Sequence, residues 1–108
     1  MNETVVSGFV VPADHPTLAG HFPGRPVVPG VLLLDATRAA IPGSADWTLQ
    51  SIPAAKFLQP VLPGERVELR IELAAEEPAR RRARFRGTRG ADLVFEGSFL
   101  FAVDGAAA

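Results

Sequence analysis

Gly20-His21-Phe22-Pro23-Gly24-Arg25-Pro26-Val27-Val28-Pro29-Gly30-Val31-Leu32-Leu33-Leu34-Asp35 is the stretch that decides how this chain folds. Its first half carries a proline at every third position from Pro23 to Pro29, with glycine at 20, 24 and 30. Proline fixes φ and removes a donor, and glycine frees the backbone, so a shaped loop is expected from Ala13 to Gly30. The second half loses both residue types and runs on as Val31 to Ala40 until Pro42-Gly43 stops it. This predicts a short helix, apolar nearly all round and therefore buried.

Strands flank that core segment. Thr4 to Val11 is largely β-branched or apolar and ends at Pro12, a first strand. Gln50 to Leu58 reads as a second, and Pro63-Gly64-Glu65 marks the turn after it. Val67, Leu69, Ile71 and Leu73 alternate with Glu68, Arg70 and Glu72, the period of a half-buried strand. Arg82, Arg84 and Arg86 alternate with Ala83 and Phe85 up to Gly87-Thr88-Arg89-Gly90, and Leu93 to Val103 supplies Phe95, Phe99 and Phe101. The expected class is α+β, an antiparallel sheet wrapped about one helix.

The bulk properties narrow the function. The 108 residues suit a single domain spanning 1–108, 47% hydrophobic and 21% charged, as in ordinary globular proteins. A net charge of −1 gives no overall basic character for nucleic acid. No apolar run approaches the ~20 residues of a membrane span, and Met1-Asn2-Glu3-Thr4 lacks the build of a signal peptide, so cytoplasmic residence is expected. With no cysteine and two histidines, thiol chemistry is excluded and a structural zinc site is not expected.

Three features of the opening stretch point to chemistry. His21 puts an imidazole in the stiffened loop. Gly30 lies where the helix begins, so amides there lack intrahelical acceptors and carry the positive end of the helix dipole. Asp35 is the one acid of an apolar helix, and such a carboxylate needs a hydrogen bond, an ion pair or neutralisation. Taken singly, each has a plain structural reading: an i,i+3 pair of Asp35 with Arg38, an exposed loop histidine, a helix-entry glycine.

Taken together, His-Phe-Pro-Gly-Arg-Pro-Val-Val-Pro-Gly-Val-Leu-Leu-Leu-Asp closely resembles the signature of bacterial 3-hydroxyacyl-acyl-carrier-protein dehydratases. These serve fatty-acid synthesis, with relatives in aryl-polyene synthesis. The run Lys56-Phe57-Leu58-Gln59-Pro60-Val61-Leu62-Pro63-Gly64-Glu65 is similar to the family's strand-turn-strand after the central helix. The resemblance implies a hot-dog fold and a homodimer whose histidine and acid meet across the subunit interface. It places His21 at the catalytic histidine, Asp35 at the catalytic acid and Gly30 at the glycine whose amide holds the thioester carbonyl. Phe22, Pro29 and Val31 flank these groups and are assigned to substrate binding. Ala39 stands where the fatty-acid branch has an orienting glutamine, leaving that contact to water or to Arg38.

The implied reaction is a dehydration giving a trans-2-enoyl thioester, without metal or organic cofactor. An amide at Gly30 would stabilise charge on the carbonyl oxygen, and donors of this kind contribute roughly 2.7–4 kcal/mol. Neutral His21 would take the C2 proton, and Asp35, held protonated by apolar surroundings, would protonate the leaving hydroxyl. A hot-dog thioesterase, and a non-catalytic acyl-binding or heterodimer subunit, remain as alternatives. For docking an acidic carrier protein the candidates are Arg25, Lys56, Arg82 and Arg84, within a run that also holds Arg80, Arg81, Arg86 and Arg89; a solvated strand face is the rival reading. His15 is read as a turn residue, and Trp47 as packing on the helix end or on the partner.

Overall fold

Alternation along the second half of the chain produces the sheet. In the computed structural model, which describes residues 2–15 and 27–103, Val67, Leu69, Ile71 and Leu73 are buried, while Glu68 and Arg70 between them are exposed. The strands are β1 (Asn2–Val10), β2 (Thr48–Phe57), β3 (Arg66–Glu76), β4 (Arg80–Arg89) and β5 (Asp92–Ala102). They form one antiparallel sheet in the order β1-β3-β4-β5-β2, which leaves β1 and β2 at its edges. The register sets Val5 beside Ile71, Ile71 beside Phe85 and Phe85 beside Gly97, one apolar row across the sheet. β4 runs past Gly87 to Arg89 because Thr88 and Arg89 still pair with Leu93 and Asp92, and Gly90, at φ 61°, makes the turn.

The helix α1 (Gly30–Ala39) faces this apolar side. Leu33 and Thr37 are its buried residues, and the Thr37 hydroxyl donates to the Leu33 carbonyl at 2.8 Å, which satisfies it inside the core. Phe85, Phe95, Phe99 and Phe101 pack edge-on or tilted behind them, with centroids 4.7–6.0 Å apart for successive pairs. The last strand's aromatic residues are thus core, as expected. The helix is not buried all round: Val31, Asp35 and Ala39 lie on an exposed stripe, and Val31 is 60% exposed. An apolar residue four positions before an acid on one face belongs to a surface that a single copy of the chain leaves open.

The helix stops through a compact network. Ser44 Oγ donates to the Arg38 carbonyl at 2.7 Å, Gly43 turns at φ 85°, and a single 3₁₀ turn (Ser44–Asp46) leads into β2. Trp47 packs on this end, edge-on to Phe101 at 5.4 Å. After β1, His15 donates its backbone N–H to the Pro12 carbonyl at 3.1 Å, closing a turn. Among the described residues, no helix is long and apolar enough to cross a membrane.

Candidate active site

Pro29 caps the helix with extended backbone (φ −60°, ψ 146°) and offers no side-chain acceptor, and no acid stands in the first turn. Its carbonyl accepts from Leu32 N–H at 3.0 Å and, more weakly, from Leu33 N–H at 3.4 Å. The amides of Gly30 and Val31 therefore have no acceptor among the described residues, and the positive helix end is uncompensated there. A groove of about 440 Å³ opens at this point, lined by Val28, Pro29, Gly30, Leu33, Phe57 and Val61 among others. Apolar walls around a few unsatisfied donors are the usual build of a small-molecule site.

The far wall is clamped. Val28 N–H donates to the Val61 carbonyl at 2.8 Å, and Leu58 N–H to the Val94 carbonyl at 2.8 Å. Arg89 then ties the connection between β2 and β3 to the β4–β5 turn. Its guanidinium reaches the Pro60 carbonyl at 2.7 Å, Gln59 Oε1 at 2.9 Å and Glu65 Oε1 at 3.1 Å. Glu65 in turn accepts from Leu62 N–H at 2.8 Å, closing the turn at Gly64, whose φ is 86°.

Asp35 lies one turn into the helix, on the exposed stripe with Val31. Among the described residues it makes no ion pair. Arg38 does not take it: that side chain turns to the Trp47 carbonyl at 3.1 Å and lies over the Phe101 ring at 5.7 Å. Neither the i,i+3 pair nor an orienting role for Arg38 is present. Asp35 is solvent-facing in the described structure.

Residues 1–98 match the family model described as ApeI-like, ApeI dehydratase. The chain belongs to that dehydratase family. It is 36% identical over 104 residues to the 3-hydroxyacyl-[acyl-carrier-protein] dehydratase FabZ of Myxococcus xanthus, an alignment covering 86% of this chain and 68% of the relative. It spans only about half the length of several other curated FabZ sequences. Among solved structures it is similar to the dehydratase heterocomplex ApeI:P from Xenorhabdus doucetiae, with a TM-score of 0.69 at 21% identity, covering 94% of each chain. It is also similar to the fluoroacetyl-CoA thioesterase FlK, with a TM-score of 0.73 at 19% identity over 94% of this chain and 84% of that one. Likeness at these identities shows the fold, which is the hot-dog fold.

Of the residues expected to form the site of this ApeI-like family member, Pro29, Gly30, Val31 and Asp35 are seen at the cap and in the first two turns of one helix. His21, Phe22 and Arg25 lie outside the described residues. The carrier-docking candidates divide. Arg82 is engaged with Glu76 at 2.7 Å, and its hydrogen bond holds the Glu76 carboxyl below the usual range. Arg89 is committed to the clamp. Lys56 and Arg84 instead line a shallow depression of about 340 Å³ on the outer sheet face, beside Arg86 and Glu96, which lie 3.8 Å apart.

Two residues escaped sequence reasoning. Phe57 lines the groove, yet its position inside Lys56-Phe57-Leu58 looked like ordinary strand filling. Arg89 was one arginine among many. The signal for it was its place beside Gly90, at a turn that had to meet another turn.

Proposed function

We propose that this chain dehydrates a 3-hydroxyacyl group carried as a thioester on acyl carrier protein, as a homodimer with sites at the subunit interface. The observation that carries this reading is the pair of amides at Gly30 and Val31, unpartnered among the described residues, on the rim of an apolar groove. In the reaction, the thioester carbonyl accepts from the Gly30 amide, and His21 removes a proton from C2. The C2–C3 double bond forms as the C3–O bond breaks, and a proton from Asp35 lets the hydroxyl leave as water. Preorganised amide donors are worth most where charge develops, and the helix dipole adds to them. Phe22, Pro29 and Val31 are the residues assigned to substrate binding, and of these Pro29 lines the groove.

Support for a second copy comes from exposed apolar side chains. Ile52 and Leu58 on and just after edge strand β2, together with Val31 on the helix, are all at least 40% exposed in one chain. Covering them would also screen Asp35, on the same helix stripe as Val31, from solvent. Lys56 and Arg84, on the outer face near the same edge and free of ion pairs among the described residues, are the favoured docking cations for an acidic carrier.

Mass spectrometry of carrier-bound 3-hydroxyacyl substrates of several lengths tests this directly. The expected result is loss of one water from the acyl group with the thioester intact. Release of free thiol would replace the reading with a thioesterase, and an unchanged substrate bound by the protein would replace it with an acyl-binding subunit.

A further inference from the structure

Glycine at position 30 is not demanded by the backbone. The left-handed glycines among the described residues are Gly43, Gly64 and Gly90, whereas Gly30 is an ordinary first residue of a helix. What a side chain there would meet is Phe57. A Cβ built on Gly30 would stand 2.8 Å from Phe57 Cζ, 3.0 Å from Cε1 and 3.1 Å from Cε2. Those three atoms are the tip of the ring, so Phe57 points end-on at the helix start.

Core packing gives Phe57 only part of its reason to be there. Its ring leans on buried Phe95, with centroids 6.5 Å apart and planes at 48°, yet the residue stays 49% exposed at the end of an edge strand. Half an aromatic side chain left in water forgoes a substantial share of the stabilisation that burial supplies. Phe57 lines the groove and adjoins Gly30, whose amide lacks an acceptor among the described residues.

We propose that Phe57 is a positioning residue for the dehydration: its ring, seated on the Gly30 α-carbon, is the wall that holds a thioester carbonyl against the first-turn amides and keeps water from them. This rests on the dehydratase reading above. A ring in that place removes the competing solvent hydrogen bonds, so the amides act in a less polar medium. It also closes one side of the approach, so the carbonyl meets the donors from a single direction, and small misplacements of reacting groups are costly to rate.

The test is steady-state dehydration of 3-hydroxybutyryl and 3-hydroxydecanoyl thioesters of N-acetylcysteamine, which need no carrier docking, followed by enoyl absorbance. Phe57→Ala, folded by circular dichroism, should lose on the order of tenfold or more in kcat with KM changed far less. Phe57→Leu should restore most of that loss. Gly30→Ala should be strongly impaired, and the same change should cost several-fold less in the Phe57→Leu background, because leucine lacks the ring-tip atoms a Cβ would strike; such coupling marks a direct contact. The last two measurements stand even if Phe57→Ala does not fold. Wild-type activity with kcat unchanged in Phe57→Leu and Phe57→Ala, or with equal Gly30→Ala losses in both backgrounds, would overturn this proposal alone. A wild-type protein inactive on every 3-hydroxyacyl thioester would instead overturn the dehydratase reading on which it rests.

Discussion

Asp35 separates function from folding at the scale of one residue. It faces solvent within its protomer and makes no ion pair among the described residues, so the fold of one chain gains little from its charge. Asp35→Asn keeps shape and polarity but cannot deliver a proton. It should leave thermal unfolding nearly unchanged, within about 0.5 kcal/mol, while lowering dehydration by roughly 10²–10⁴-fold. Calorimetry beside an enoyl-absorbance assay checks both halves, and near-normal turnover would remove Asp35 from the chemistry. The acid itself was legible from sequence because a lone carboxylate in an apolar helix demands a reason. The fate of Arg38 was not: three residues on, a guanidinium can return to Asp35 or run to the helix end. The Trp47 carbonyl and the Phe101 ring, both set by the tertiary fold, decide for the helix end.

At the scale of elements, the groove depends on how the β2–β3 connection is held. Arg89 makes three hydrogen bonds to it, one within an ion pair to Glu65 whose side chains are only 27% and 33% exposed. Arg89→Ala should leave the Pro60 carbonyl and the Glu65 carboxylate short of a partner and lower stability by about 1–3 kcal/mol. Its kinetic signature should be a raised KM for acyl thioesters, since the groove wall at Val61 and Leu58 loosens. By contrast Arg66→Ala, whose partner Glu68 is as exposed as itself, should move stability by under ~1 kcal/mol. Urea denaturation of the two variants distinguishes a clamp from a surface pair. Strand positions were readable because alternation of Val67, Leu69, Ile71 and Leu73 with charged residues has a single geometric solution. The clamp was not, since it joins two turns far apart in the chain, and nothing in either turn's composition names the other.

For the whole molecule, the question is which surface closes the site. An apolar run such as Val31 to Leu34 reads as buried, but composition does not say whether the covering surface belongs to the same chain; Leu33 packs inward while Val31 is left bare. If a second copy covers it, each site draws His21 from one subunit and Asp35 from the other, and inactive chains should complement. A His21→Ala chain still offers Asp35, and an Asp35→Asn chain still offers His21. Random exchange of equal amounts makes half of the dimers mixed, each with one intact site and one doubly defective site, which predicts about a quarter of wild-type activity for an isologous pair. Each variant alone should stay near background. Refolding the two together from denaturant, then measuring enoyl formation against each refolded alone, gives the answer. Recovery to that level requires the imidazole and the carboxyl group to come from different chains. A mixture no more active than its parts would place both groups within one chain, and would leave the exposed apolar face of β2 and α1 to another partner.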